Sequence, residues 1–309
     1  MPLPASESRS FLTAVVVSLR PHQWTKNLVV FAALAFSKHL FESGPFVRAA
    51  LAFAVFCGIS GAVYLVNDVV DVERDRLHPR KRFRPIASGD LGRRQALMVA
   101  VLLAVSCLTA AVVLRPEFAA CAAVYLVLNL LYSFRLKEVV ILDALALSLG
   151  FVVRAVAGAV VIAVHISEWL LICTLFLALF LALAKRRAEL TTLSDGAVEH
   201  RKILAEYSPQ LLDQMISVVT ASCVIAYAFY TTAEETRAKF QTEKLAWTLP
   251  FVLYGIFRYL YLVHQKDQGG SPSEILLADR PMLTAVVLWA AAVVAILYTA
   301  SAPPTPLGH

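Results

Sequence analysis

Asn67-Asp68-Val69-Val70-Asp71-Val72-Glu73-Arg74-Asp75 directly follows the predominantly apolar run 46–66. A helix that spans a bilayer needs about 20 mostly apolar residues, so this run has the length and composition of one membrane span. Acidic residues at membrane depth are a functional signal, because charge there is costly to bury. The stretch therefore predicts a transmembrane helix that ends in a chemically active polar segment.

The rest of the chain repeats this apolar pattern. Hydrophobic residues make up 59% of the 309 residues and charged residues 16%, whereas soluble domains are nearer ~45–50% and ~25%. These values exclude a disordered chain, a coiled coil and an ordinary soluble enzyme. Nine runs are long enough to span a bilayer: 24–41, 46–66, 95–114, 118–134, 140–163, 167–184, 214–232, 245–264 and 282–301. We predict an all-α polytopic membrane protein, a bundle of about nine transmembrane helices, with one membrane-embedded domain over 1–301 and a disordered tail over 302–309.

The basic residues are distributed unevenly between alternate loops. With the N-terminus in the cytoplasm, 20 of the 28 Lys and Arg residues fall in cytoplasmic segments and 6 outside. Cytoplasmic loops carry the excess of Lys and Arg. We therefore predict a multi-pass protein of the cell membrane with a cytoplasmic N-terminus, an external C-terminus and an active-site cavity facing the cytoplasm. The same bias explains the net charge of +6, so no nucleic acid partner is expected.

The acidic residues have the spacing of a metal site. Asn67, Asp71 and Asp75 are four residues apart and would share one face of a helix, with Asp68 on the same broad sector. Carboxylates this close repel one another unless a cation neutralises them. Oxygen ligands suit Mg²⁺, Mn²⁺ or Ca²⁺ rather than zinc, and Mg²⁺ commonly bridges to substrate phosphates. The competing interpretation is a solvated helix end balanced by neighbouring arginines.

A basic loop follows the acidic residues and ends in Arg84-Pro85-Ile86-Ala87-Ser88-Gly89. A role in membrane topology or in contact with lipid headgroups would explain the positive charge of this loop. It would not explain why the basic residues alternate with Pro and Gly, which indicates a loop with a defined conformation. Lys81 and Arg84 are the candidates for binding phosphate oxygens. Acidic residues that bind a metal ion, next to basic residues that bind phosphate oxygens, form the arrangement that a diphosphate leaving group needs.

The pattern Asn-Asp-x-x-Asp-x-x-x-Asp at 67–75, followed by Arg-Pro-Ile-x-Ser-Gly at 84–89, resembles the UbiA superfamily of membrane prenyltransferases. The resemblance implies a helical bundle with a cavity open to the membrane. It also implies that Asn67, Asp71 and Asp75 hold Mg²⁺ on a diphosphate, with Asp68 at the substrate. The segment from Tyr132 to Lys137 resembles the family's segment after its fourth span. Tyr132 is therefore a candidate for substrate binding, and Lys137, like Asp71 and Asp75, for catalysis.

The end of the sixth span departs from the usual family pattern. Typical members carry a second aspartate-rich motif there, whereas this chain has Lys185-Arg186-Arg187-Ala188-Glu189-Leu190. A basic cluster would bind an anion directly. Together with the segments 20–27, 78–79 and 274–280, this basic motif resembles the sequences of the decaprenyl-phosphate phosphoribosyltransferase subfamily. The resemblance implies Mg²⁺-dependent transfer of 5-phosphoribose from phosphoribosyl pyrophosphate to a polyprenyl phosphate, with inversion at the anomeric carbon, toward cell-wall arabinan.

The remaining candidates for substrate binding are Lys26, Asp143, Lys185, Arg186 and Glu189, with Glu189 orienting one of the two cations. Four of them have a structural alternative. Lys26 could be an anchor whose ammonium reaches the membrane surface, and Asp143 could be the ion-pair partner of Lys137 or Arg154. Lys185 and Arg186 could be topology signal alone. Arg154 lies deep in the fifth span, so it needs an acidic partner or an anion.

Two other functions are compatible with the sequence. A prenyltransferase would join a prenyl diphosphate to an aromatic or isoprenoid acceptor, but the basic motif of the sixth span argues against it. A transporter would place its charges near the midplane between repeats, whereas here they concentrate at one membrane face. Membrane lipids are expected partners, and the sequence leaves a homo-oligomer open.

Overall fold

A computed structural model describes residues 9–79, 81–192, 202–266, 275–276 and 278–299, and within these ranges the chain is helical without a strand. The predicted all-α class is confirmed. The α-helices are α1 (Phe11–Leu19), α2 (Ala32–Ala35), α3 (Ser43–Val70), α4 (Val72–Leu77), α5 (Pro85–Ser88), α6 (Arg93–Leu114), α7 (Pro116–Phe134), α8 (Leu142–Val161), α9 (Glu168–Thr192), α10 (Pro209–Thr232), α11 (Glu234–Phe240), α12 (Leu249–Gln265) and α13 (Arg280–Thr299). Short 3₁₀ helices cover Pro21–Phe31, Lys81–Phe83, Leu136–Glu138, Lys202–Glu206 and Lys244–Thr248. The predicted tail, 302–309, lies outside the described residues.

Eight segments of the described chain are long and apolar enough to cross a bilayer. They are Ser43–Val70, Arg93–Leu114, Pro116–Phe134, Leu142–Val161, Glu168–Thr191, Pro209–Thr232, Lys244–Gln265 and Arg280–Thr299. These correspond to eight of the nine predicted spans, and the chain is a multi-pass membrane protein. The sixth predicted span ended at 184, but α9 continues to Thr192, so the basic motif at 185–190 lies on a helix rather than in a loop.

The prediction of one continuous α-helix over 24–41 is wrong. Helix α1 ends at Leu19 and is capped by Arg20, which has the left-handed conformation (φ 53°). A 3₁₀ helix of 11 residues follows from Pro21 to Phe31. Proline disfavours the right-handed helical region for the residue before it, which separates the two helices. Because a 3₁₀ helix rises about 2.0 Å per residue, this segment covers about 22 Å with few residues.

The segment nevertheless crosses the bundle. At one end, Arg20 pairs with Asp68 near the C-terminus of α3. At the other end, the Leu40 N–H donates to the Tyr298 hydroxyl (2.8 Å), and the Phe41 ring contacts the Tyr298 ring immediately before α3 begins. The segment therefore runs antiparallel to α3 along most of its length and supplies a further crossing beside the eight long helices.

The 3₁₀ helix packs against α8 at very short distance. A Cβ atom at position 158 would overlap the Val30 carbonyl oxygen, so only glycine fits there. Residues three apart are eclipsed in a 3₁₀ helix, and Trp24, Asn27 and Val30 therefore form one narrow row. Asn27 and Val30 are fully buried, so this row faces the bundle.

We expect Gly158→Ala to destabilise the protein. The added methyl group would meet the Val30 backbone carbonyl, and overpacking of this kind costs about 1–3 kcal/mol. The thermal unfolding midpoint in detergent measures the effect. Gly255→Ala is the matched control, because a Cβ there meets no atom within 4 Å, and it should leave the midpoint unchanged or slightly raised. An unchanged midpoint for Gly158→Ala would contradict the close packing.

Helices α3 and α8 are the most buried spans, whereas α6 and α13 are the least buried. Helix α3 packs against α6 and the 3₁₀ helix, and α8 packs against α7 and α9. The two central helices also carry polar residues. The acidic segment begins in the last turn of α3, and Asp143 and Arg154 lie on α8. The candidate site therefore lies where the acidic end of α3 meets the first turn of α8.

Candidate active site

The acidic segment stays helical through Asp71, where α3 ends and α4 begins. The Asp71 N–H donates to the Asn67 carbonyl (2.9 Å), and the Asp75 N–H donates to the Asp71 carbonyl (2.8 Å). This i to i+4 pattern is that of an α-helix. Asn67, Asp71 and Asp75 therefore share one face, as their spacing predicted.

Each aspartate of this segment contacts a cation from another part of the chain. Asp68 Oδ1 accepts hydrogen bonds from Arg20 Nη2 (2.5 Å) and Arg84 Nη1 (3.0 Å). Arg84 Nη1 also donates to Asp75 Oδ2 (2.6 Å). Lys137 Nζ donates to Asp71 Oδ1 (2.6 Å). We call these six residues the acidic cluster, which combines three carboxylates with three cations.

The three carboxylates differ in exposure. The Asp68 and Asp75 side chains are 2% and 4% exposed, whereas Asp71 is 20% exposed. Burial raises the pKa of Asp75, and the Arg84 guanidinium opposes this rise. Lys81 lies close enough to favour the ionised form of Asp75 as well. Asp71 is therefore the carboxylate most accessible to a ligand.

The donor set of this face fits Mg²⁺, because it consists of carboxylate and amide oxygens. Among the described residues, no three His, Cys, Asp or Glu side chains converge on one point; the aspartates face cations instead. Mg²⁺ usually takes one or two carboxylates together with water and phosphate oxygens, so Asn67, Asp71 and Asp75 suffice. Asp68 fits less well, because its bonded oxygen already accepts from two arginines. Asp68 positions those arginines.

A second cluster lies where α8 begins and α9 nears its end. Arg186 donates from Nε to Asp143 Oδ2 (2.6 Å), from Nη1 to Glu189 Oε2 (2.7 Å) and from Nη2 to the Tyr132 hydroxyl (3.4 Å). The Tyr207 hydroxyl donates to Asp143 Oδ1 (2.9 Å). Lys185 Nζ lies 3.8 Å from Glu189 Oε1. We call these residues the Arg186 cluster.

The structure corrects the interpretation of Asp143. Neither Lys137 nor Arg154 is its partner; Arg186 and Tyr207 are. Asp143 is fully buried, and both of its oxygens accept bonds from the protein, so it lies behind Arg186. Glu189 binds Arg186 closely, in line with the orienting role that the sequence indicated.

The loop between α7 and α8 joins the two clusters. Tyr132, at the end of α7, contacts the Arg186 cluster, and Lys137, on the following 3₁₀ helix, contacts the acidic cluster. Ile141 has φ 69°, which is a strained conformation for a β-branched residue and is typical of functional sites. Its N–H donates to the Tyr207 hydroxyl (2.7 Å), which holds the turn. Burial raises the pKa of Tyr207 to about 12, so the hydroxyl stays protonated.

Lys26 lies on the 3₁₀ helix between the clusters and interacts electrostatically with Lys185, Arg154 and Arg20. Sequence reasoning did not select Arg20 or Tyr207. Arg20 had one local signal, because the residue before a proline commonly ends a helix. Tyr207 had none, since its role depends on the packing of the segment before α10 against α8.

Comparison with known proteins agrees with this architecture. The profile of the UbiA prenyltransferase family matches residues 27–275. The chain belongs to the UbiA prenyltransferase family. Two relatives are decaprenyl-phosphate phosphoribosyltransferases. The one from Mycolicibacterium smegmatis is 34% identical over 307 residues, covering 95% of both chains. The one from Corynebacterium glutamicum is 34% identical over 298 residues, covering 94% of this chain and 88% of the relative.

A solved UbiA homolog from Archaeoglobus fulgidus, bound to GPP and Mg²⁺, has a TM-score of 0.71 to this chain at 18% identity. The likeness covers 93% of this chain and all of the homolog. It establishes the UbiA fold. The predicted membership of the UbiA family is thus confirmed, and so is the predicted helical membrane bundle.

Proposed function

We propose that this UbiA-family protein transfers 5-phosphoribose from phosphoribosyl pyrophosphate to a polyprenyl monophosphate such as decaprenyl phosphate. The observation that carries the proposal is the presence of one acidic cluster together with a basic motif at the end of the sixth predicted span. A relative named for this activity is similar to the chain over nearly the whole length of both proteins. Phosphoribosyl pyrophosphate presents a diphosphate and a separate 5-phosphate, and the lipid presents a third anionic group. One metal-binding face and several cationic groups match this charge pattern.

The acidic cluster is the proposed diphosphate site. Asn67, Asp71 and Asp75 would hold Mg²⁺, or alternatively Mn²⁺, and the ion would neutralise negative charge on the pyrophosphate leaving group. Arg84 and Lys137 lie within hydrogen-bond distance of these aspartates. They are therefore placed to bind diphosphate oxygens and to stabilise the charge that develops as pyrophosphate departs.

The acceptor needs little activation. A phosphate monoester is already ionised near neutral pH, so its oxygen can attack the anomeric carbon without a strong general base. The bond from that carbon to pyrophosphate breaks while the bond to the lipid phosphate forms on the opposite face, which inverts the configuration. Orientation of the two substrates supplies much of the remaining acceleration.

The proposed setting is the cell membrane, with the N-terminus in the cytoplasm, the C-terminus outside and the acidic cluster facing the cytoplasm, where phosphoribosyl pyrophosphate is soluble. The lysines and arginines near the acidic cluster support this orientation, because the cytoplasmic ends of membrane spans carry the excess of basic residues. The product, polyprenyl-phosphoryl-5-phosphoribose, would feed formation of the arabinose donor for cell-wall arabinan.

The decisive assay supplies membranes containing the protein with labelled phosphoribosyl pyrophosphate, polyprenyl phosphate and Mg²⁺. We expect label in the organic extract, loss of this product with a chelator, and no product in membranes without the protein. Product formed only from a labelled prenyl diphosphate would overturn the proposal in favour of prenyl transfer. Label that accumulates in sealed vesicles without a lipid product would instead indicate transport.

A further inference from the structure

Arg154 is buried in the bundle beneath the acidic cluster, with 6% of its surface exposed. Its guanidinium donates from Nε to Asn27 Oδ1 (2.7 Å), from Nη1 to the Gly150 carbonyl (3.1 Å) and from Nη2 to the Tyr125 hydroxyl (2.5 Å). An amide, a carbonyl and a phenol are neutral acceptors. In the part of the chain that the structure describes, no carboxylate pairs with this arginine.

A second cation, Lys26, lies near Arg154 on the 3₁₀ helix. Lys26 directly precedes Asn27, and its electrostatic neighbours are the cations Arg154, Lys185 and Arg20. Burying a charge without a counter-ion costs several kcal/mol, and cations within a membrane bundle usually face an acid or a ligand. Arg20 pairs with Asp68 and Lys185 with Glu189, so Arg154 and Lys26 are the two cations of this group that pair with no carboxylate among the described residues. Their positive charge therefore points to an anionic ligand.

Trp24 supplies an independent sign of a ligand. Its indole Nε1 is buried and has no hydrogen-bond partner among the described residues. Trp24 precedes Asn27 by three residues, so in the 3₁₀ helix it lies on the same row, one turn nearer the acidic cluster. A buried N–H without an acceptor is unfavourable, and an anionic oxygen would satisfy it.

We propose that Arg154, Lys26 and Trp24 build a subsite for a phosphate monoester inside the bundle. Asn27 accepts a hydrogen bond from Ser60 (3.4 Å) on α3. Ser60 precedes Asp68 by eight residues, so Asn27 and the Arg154 guanidinium bonded to it lie about 12 Å deeper along α3 than Asp68. Trp24 lies one 3₁₀ turn, about 6 Å, nearer to Asp68. The subsite is thus separate from the proposed diphosphate site.

The identity of the occupant rests on the proposed function, which supplies two monoester phosphates. One is the phosphate of the lipid acceptor and the other is the 5-phosphate of the sugar donor. Both have the chemistry that two cations and an indole N–H recognise. The depth of the row within the spanning helices favours the lipid phosphate.

The test measures binding in the purified full-length protein without a second substrate. Farnesyl phosphate and ribose 5-phosphate are titrated separately, and each affinity is taken from the rise in unfolding midpoint with ligand concentration. Farnesol, which lacks the phosphate, controls for the lipid chain. The variants are Arg154→Gln, Lys26→Gln and Trp24→Phe. Lys38→Gln is the matched control, because Lys38 lies at the opposite end of the same crossing segment.

We expect Arg154→Gln to weaken farnesyl phosphate binding about tenfold or more and Lys26→Gln about threefold or more, as expected for loss of charge-assisted hydrogen bonds. Farnesol binding and the Lys38→Gln affinities should not change. If the variants lose affinity for ribose 5-phosphate but not for farnesyl phosphate, the subsite exists and binds the 5-phosphate of the sugar donor. If Arg154→Gln does not fold, Lys26→Gln and Trp24→Phe decide the question.

Unchanged affinity for both phosphates in folded variants, or no binding by the wild-type protein, would overturn the subsite. Label transfer measured on the same wild-type preparation keeps the two proposals distinguishable. A protein that binds farnesyl phosphate through Arg154 but forms no phosphoribosyl lipid would refute the proposed function and leave the subsite standing.

Discussion

Asp71→Asn is expected to reduce phosphoribosyl transfer by roughly 10²–10³-fold while leaving the protein folded, a loss typical of removing one electrostatic group that stabilises a transition state. Asparagine keeps the shape of the side chain and an oxygen that can accept a bond from Lys137, but it removes the negative charge that a metal requires. Asp71 is the most exposed carboxylate of the acidic cluster. Its loss should therefore affect the ligand more than the fold.

Initial rates of labelled lipid formation measure this effect, and a binding readout makes it specific. Mg²⁺ with pyrophosphate should raise the unfolding midpoint of the wild-type protein and not that of Asp71→Asn. Glu73→Gln is the matched control, because Glu73 lies two residues away at the start of α4, is 69% exposed and pairs with Arg76 and Arg93. Its rate should stay within about twofold. Near-normal turnover by purified Asp71→Asn would contradict the metal assignment.

The acidic face was predictable because its geometry is local. Spacing by four residues fixes which side chains share a helix face, and Asn67, Asp71 and Asp75 keep that relation even though the helix is interrupted at Asp71. Arg84 and Lys137 were also identified as phosphate ligands from their motifs. Their pairing with the aspartates was not predicted, because it depends on how two loops fold back over the end of α3.

The Arg186 cluster could not be predicted in detail because its contacts are distant in sequence. Asp143 bonds to Arg186, 43 residues away, and to Tyr207, 64 residues away. The partners expected for it, Lys137 and Arg154, were simply the nearest cations along the chain. A sequence without aligned relatives contains no signal for such pairings.

The first crossing segment illustrates a different limit. Its composition indicated an ordinary α-helical span, but the structure has a 3₁₀ helix from Pro21 to Phe31. The narrower helix allows Val30 to approach Gly158 and brings Asn27 to Arg154. Tertiary packing thus overrides the local preference, and only the position of Pro21 hinted at the change.

Removing one partner of the buried Asp143–Arg186 pair is expected to cost about 3–5 kcal/mol of stability, because the charge that remains loses its fully buried counter-ion. Both side chains are almost completely buried, at 0% and 2% exposure. Asp143→Ala leaves the Arg186 guanidinium with Glu189 as its remaining carboxylate. Arg186→Met leaves the Asp143 carboxylate with only the Tyr207 hydroxyl.

A double-mutant cycle separates this structural role from substrate binding. Asp143→Ala and Arg186→Met should each lower the unfolding midpoint strongly, and the combined variant should recover part of the loss, because no charge is then left unpaired. Glu138→Gln removes a partner from the exposed Arg74–Glu138 pair and should change stability by less than about 1 kcal/mol. If Arg186→Met instead keeps the wild-type midpoint and loses only transfer, Arg186 acts on the substrate. The Asp143 carboxylate would then tolerate burial without its arginine, which the desolvation cost of a lone carboxylate argues against.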